Sequence, residues 1–224
     1  MTSVDLSNTL AKLEIELAIQ FPDILKELNP PASLDQIASF ELAVGKNLPE
    51  DMRAMYLWRD GCKPRDFDLG LGDDDRQYFL IGQTRWCSLD EMLSRWHFNI
   101  EVGFVDTEYS FTEEEDSSSW LSAEIRPWTG IPQAWFPIGR RWWDSWVYVD
   151  LLPGTQGHVG QLVQHTTAMG QNVIAQSMAA YLTALLTALE ARLVDYDKKL
   201  TDGLRLKTIK ILIKRGSRLA KHSR

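Results

Sequence analysis

Residues Ala134 to His165 read AWFPIGRRWWDSWVYVDLLPGTQGHVGQLVQH, and this stretch decides the fold. Two apolar-rich runs, Ser145–Leu152 and His158–His165, flank Pro153-Gly154-Thr155-Gln156-Gly157. A Pro–Gly turn between β-branched and aromatic runs predicts a hairpin, because proline presets one turn dihedral and glycine accepts a positive φ. Upstream, Ala134–Gly139 is a third short run, linked through Arg140–Asp144. Together they predict a three-stranded antiparallel meander in the middle of one sheet. Side chains alternate along a strand, so Trp146, Tyr148 and Asp150 share one face while Val147, Val149 and Leu151 share the other. The aliphatic face is expected to meet helices, and the other to offer aromatics and a carboxylate to solvent or a partner.

Helices are expected on both sides of the meander in sequence. Leu6, Leu10, Leu13 and Leu17 recur at helical spacing, which predicts a helix over residues 5–20. It packs on the core or, alternatively, serves as an interaction helix. Ile24, Leu25 and Leu28 make a short second turn of helix that ends at Asn29-Pro30-Pro31. Ser33-Leu-Asp-Gln36 and Ser88-Leu-Asp-Glu91 are capping boxes, in which the serine hydroxyl and the residue three positions on satisfy each other's free backbone N–H groups. The first box starts a helix to about Val44, with Leu34, Ile37, Ala38 and Leu42 inward and Gly45 closing it. The second turns Leu89, Met92, Leu93 and Trp96 to one side. Between them, Pro49 opens a helix with Met52, Met55, Tyr56 and Trp58 as its packed face and Gly61 as its stop. Tyr78–Gly82 reads as a strand and Asn172–Ser177 as an edge strand. Met178–Val194 is a helix with a stripe of Leu182, Leu185, Leu186, Leu189 and Leu193, expected to cover the Val147–Val149–Leu151 face.

Composition narrows the function classes. With 44% apolar and 25% charged residues among 224, the chain has the make-up of a soluble globular domain with room for a substantial core. There is no membrane-length apolar run and no leader-like start, so the expected location is the cytoplasm. Cys62 and Cys87 form no CxxC and are expected to stay reduced. Charge is split: residues 204–224 carry eight Lys or Arg and no acid, so the rest holds 16 − 31 = −15. A body this acidic disfavours nucleic acid and anionic membrane and favours a basic partner. The tail either folds back on that body or rests on an anionic membrane surface.

Catalytic and metal-binding patterns are missing. Asp66–Asp75 fails the calcium-loop pattern, because the fifth, sixth and twelfth positions are Gly70, Leu71 and Gln77. His158 and His165 lie an odd number of residues apart on one expected strand and so point to opposite faces. No HExxH, GxSxG, Walker A or GxGxxG occurs. Asp144 and Asp150 remain as a carboxylate pair, more simply a turn cap and a strand-edge charge. The expectation is a chain with no catalytic residue, cofactor or metal.

The order WFPIG, WVYVDL, a Pro–Gly turn, GHVGQLVQH and a late helix, with LPEDMRAMYLWRDG at Leu48–Gly61 upstream, resembles the SUKH superfamily. The resemblance is nearest to its branch named after fungal SMI/KNR cell-wall-assembly regulators and runs roughly from Leu34 to Leu193. Arg140-Arg141-Trp142-Trp143-Asp144 departs from that branch's Gly- and Asp-rich connection. The resemblance implies an α+β fold, a central mostly antiparallel sheet with N-terminal helices and a C-terminal helix packed on one face. Together with the break at Gly203 and the reversal of charge after it, the resemblance gives an expected division into a helical segment 1–32, a SUKH-like domain 33–203 and a basic tail 204–224. It also implies a non-catalytic protein-binding module. The compact acidic body fits an immunity protein that neutralises a basic bacterial toxin by direct binding; the alternative is a regulatory or scaffolding protein, membrane-associated through its tail.

Residue types point to the contact surface. Trp and Arg are enriched at the energetic centres of interfaces, and Arg140, Arg141, Trp142 and Trp143 fall in a connection rather than a core. Both indoles could equally pack beneath the 101–128 loop. With Asp144, Trp146 and Asp150 they form the candidate partner-binding patch. Glu113, Glu114 and Glu115, in an acidic run of that loop, are expected to be a solvated face or to steer a cationic partner.

Overall fold

The meander forms, with one strand added at each edge. In the computed structural model the described residues are 3–63, 81, 84–101, 123–126, 132–141, 145–166, 170–196 and 204–205. Strands β1 (Arg85–Trp86), β2 (Trp135–Arg141), β3 (Ser145–Asp150), β4 (Gln161–Thr166) and β5 (Gly170–Ala175) lie in chain order, every neighbouring pair antiparallel. Strand β5 is the edge strand expected at 172–177. Pro137 sits at a register shift in β2, between Pro137 and Gly139, where a residue without an N–H disturbs the ladder least.

The turn between β3 and β4 is longer than the Pro–Gly motif suggests, and its glycines serve another purpose. Residues 151–160 are all outside the strands, so His158 lies exposed in the loop rather than on β4. Backbone from residues 123–126 lies on this loop: Gly154 N–H donates to Glu124 O at 2.9 Å and Gln156 N–H to Ala123 O at 3.1 Å. A Cβ on Gly154 would stand 2.5 Å from Ala123 O, and one on Gly157 2.2 Å from Glu124 O. Close approach of a second backbone therefore requires both glycines.

Among the described residues six α-helices pack on the sheet and on one another: α1 (Ser3–Gln20), α2 (Pro22–Glu27), α3 (Leu34–Val44), α4 (Glu50–Trp58), α5 (Leu89–Glu101) and α6 (Met178–Glu190). Both capping boxes form. Ser33 Oγ accepts from Gln36 N at 3.1 Å while Gln36 Oε1 accepts from Ser33 N at 2.8 Å. At the other, Ser88 and Glu91 exchange bonds of 3.2 and 3.0 Å. Glu91 also pairs with the buried Arg85, tying the start of α5 to β1. Gly45 closes α3 at φ +66°, the left-handed region that a side chain resists. Asp51, at the start of α4, accepts from Ala179 N at 2.8 Å and so also caps α6.

One core joins Leu6, Leu10, Leu13 and Leu17 of α1 to Phe136, Ile138, Val147, Val149 and Leu162 of the sheet. The N-terminal helix is therefore part of the main packing. Leu182, Leu185 and Leu189 are buried as the stripe predicts, whereas α6 stops at Glu190 and leaves Leu193 44% exposed. The inward face of α3 is Ile37, Phe40 and Val44; Leu34 and Leu42 are 63% and 85% exposed. Phe40 reaches the sheet through an edge contact with Phe136 at 5.5 Å, and that large ring sets the rotation of the helix. The helix before Gly61 ends earlier, capped by Arg59.

Cys62 and Cys87 are free and buried, and burial pushes their thiols up to about 11 and about 12. Both stay protonated and unreactive at neutral pH. Among the described residues no helix is long and apolar enough to cross a membrane. Leu204–Arg205 pairs antiparallel with Asp195–Tyr196, so the chain turns back where the charge sign changes. The remainder of the tail, the 66–75 run and most of the 78–82 strand lie outside the described residues.

Candidate partner-binding face

The strand alternation holds, but its consequence differs from expectation. Trp146, Tyr148 and Asp150 do share one face of β3, and that face is closed: they are 4%, 2% and 0% exposed. Register places Trp135 opposite Asp150 and Arg140 opposite Trp146 on β2. On β4, His165, Val163 and Gln161 stand opposite Trp146, Tyr148 and Asp150. Ile125, Ala134, Trp135, Trp146, Tyr148 and Val163 form a second hydrophobic cluster. Alternation gives the phase of a strand and not what lies above it, so the open aromatic face is corrected to a second core.

Asp150 is a structural tether at one end of this core. Its Oδ1 accepts from Leu152 N at 2.8 Å and its Oδ2 from Gln161 Nε2 at 2.9 Å. Gln161 Nε2 also donates to Glu124 O at 2.8 Å, while its Oε1 accepts from His158 N at 3.1 Å. The pair thus fastens the 123–126 segment and the 151–160 loop to the sheet. Burial raises the Asp150 carboxyl above its ordinary value, against the hydrogen bonds from Gln161 and Leu152 that favour the ionised form.

The other end is cationic. Helix α5 straddles the sheet, with Trp96 against Phe136 at 6.2 Å on the main-core side and Arg95 over Trp146 at 4.4 Å on this one. Arg140 also lies over Trp146, at 5.5 Å. Burial pushes the Tyr148 phenol far up, with Arg95 and Asn99 close by acting the other way. Arg95 and Asn99 carry no sequence signal of their own, since their role arises only when α5 crosses the strand edge.

Of the sequence-predicted contact residues, Arg140, Trp146 and Asp150 come onto one face. The backbone of Arg141 continues β2 opposite Ser145. Trp142, Trp143, Asp144, Glu113, Glu114 and Glu115 lie outside the described residues. As for chemistry, Asp150 and His165 are four positions apart in register, roughly 13 Å along a strand, too far to share a proton or a metal. Among the described residues no three His, Cys, Asp or Glu gather into a metal-binding group.

A model of the SMI1 / KNR4 family (SUKH-1) matches residues 31–184, from the approach to α3 into α6. A glucan synthesis regulatory protein of Neurospora crassa is 22% identical over 220 residues, covering 85% of this chain and 39% of that protein. KNR4/SMI1 homolog 2 of Debaryomyces hansenii is 21% identical, covering 86% of this chain and 37% of its own length. The chain thus spans under two-fifths of either relative.

Proposed function

Because this chain belongs to the SMI1 / KNR4 family (SUKH-1), we propose that it is a non-catalytic domain that regulates a partner protein by binding it directly. The family match across residues 31–184 carries this reading. Supporting it is the name of the Neurospora relative, a regulator of glucan synthesis. The face also offers a contact: Arg95 and Arg140 lie over the Trp146 ring beside the half-exposed Phe98. A second reading, an immunity protein that neutralises a toxin in the cytoplasm, is favoured by the −15 charge of residues 1–203, taken as 16 − 31. An acidic body accelerates encounter with a basic partner.

Affinity capture tests both. The full chain, immobilised and exposed to extract of its native host, is expected to retain a specific protein at low salt and to release it as salt rises. A retained component of wall-polymer synthesis supports regulation, and a secreted toxin supports immunity. Failure to retain any protein above an unrelated acidic control contradicts both readings.

A further inference from the structure

Among the described residues, Arg95 is a half-buried cation without a carboxylate counter-charge. Its guanidinium carbon stands 4.4 Å from the centre of the Trp146 ring and 4.6 Å from that of Phe98. Its Nε is buried without a hydrogen-bond partner, and no carboxylate among the described residues pairs with the group. Arg140 is seated over the same Trp146 ring at 5.5 Å, so two like charges share one indole. Burial pulls Arg95 below its ordinary value, and Arg140 adds to the effect. The π faces offset part of that cost, but they leave the buried Nε–H without an acceptor. Phe98, on the neighbouring side of Arg95, is 47% exposed, which marks where the cluster meets solvent.

Such a group is incomplete in a particular sense. A guanidinium presents rigid paired donors that match a carboxylate, and a charge-assisted pair formed in a partly dry site is stronger than one in water. Aromatic walls already fix the cation, so little side-chain freedom is lost on binding. We propose that Arg95, set on Trp146 and Phe98 beside Arg140, anchors an acidic side chain of the partner protein. This rests on the protein-binding reading above. The acidic body governs approach, and the Arg95 contact fixes the register in which the partner docks.

The test uses the full chain, isotope-labelled, with tetraglutamate peptide as the probe. Its titration is followed through the NMR signals of the Trp146 indole N–H and the Arg95 Nε–H. Saturable shifts of both are expected. Arg95→Gln should weaken the interaction about tenfold, the loss of one charge-assisted contact, and Arg95→Lys should recover part of it. No shift, or an unchanged titration in Arg95→Gln, overturns the anchor. Inorganic phosphate binding as tightly as the peptide also overturns it, by revealing an indiscriminate anion site. In affinity capture, an Arg95→Gln chain that holds the partner as well as the native chain sinks the anchor and leaves the binding reading intact. A native chain that captures nothing sinks that reading, while the peptide titration still judges the anchor.

Discussion

Leu182→Ala is expected to destabilise the chain by about 2–5 kcal/mol. Leu182 is fully buried in the main core, on the stripe by which α6 meets the rest of the protein. That helix is fastened independently of the stripe. Asp51 and Ser177 cap its start, and near its end Gln20 Nε2 donates to Leu189 O at 3.0 Å and Arg192 pairs with Glu16 at 2.7 Å. The surroundings are therefore held in place and collapse poorly into a cavity, which puts the cost well above that of a surface change. Urea unfolding should show a lower midpoint at unchanged slope. Leu193→Ala, at a residue 44% exposed, serves as the comparison and should move stability by no more than about 0.5 kcal/mol. Equal midpoints for native chain and Leu182→Ala would place the core on another face of α6.

Asp150→Asn is expected to cost about 1–3 kcal/mol at neutral pH, although it removes a buried charge. The carboxylate accepts two hydrogen bonds, from Leu152 N and from Gln161 Nε2. An amide offers one acceptor, so its NH2 group would face the donor of Gln161. Rotating Gln161 to answer it would forfeit the bonds to Glu124 O and His158 N. The pH dependence is a second readout. Burial holds the folded-state value of Asp150 above its unfolded one, so the native state keeps the proton more firmly. Between those two values the native protein binds more protons than the unfolded chain, and stability falls as pH rises through that window. Asp150→Asn should flatten this slope, leaving the share of Asp60, which burial also raises. A variant more stable than the native chain at neutral pH would mean that charge burial outweighs the two hydrogen bonds.

Much of the fold was legible because its signals are local. Each serine of the two capping boxes finds its own residue three positions on, and Leu6, Leu10, Leu13 and Leu17 need only the helical period to share a face. Phase failed where one large side chain decided it. On α3 the period admits Leu34 and Leu42, but Phe40 meets Phe136 and turns them to solvent. The candidate face was harder, because what covers a strand comes from far along the chain. Ile125 joins the second core, and the 123–126 backbone lies against Gly154 and Gly157. Those glycines read as turn residues in sequence and serve close approach in space. Arg95 was invisible for the same reason: on α5 it is one more polar residue, until the helix brings it over Trp146.

The association rate of the full chain with its captured and purified partner, measured across ionic strength, bears most directly on the claim that this domain acts by binding a protein. A defined complex is predicted, with an on-rate that drops steeply as the Debye length shrinks toward about 8 Å at physiological salt while the off-rate changes little. A captured protein that forms no complex with the purified chain at any salt concentration would contradict it.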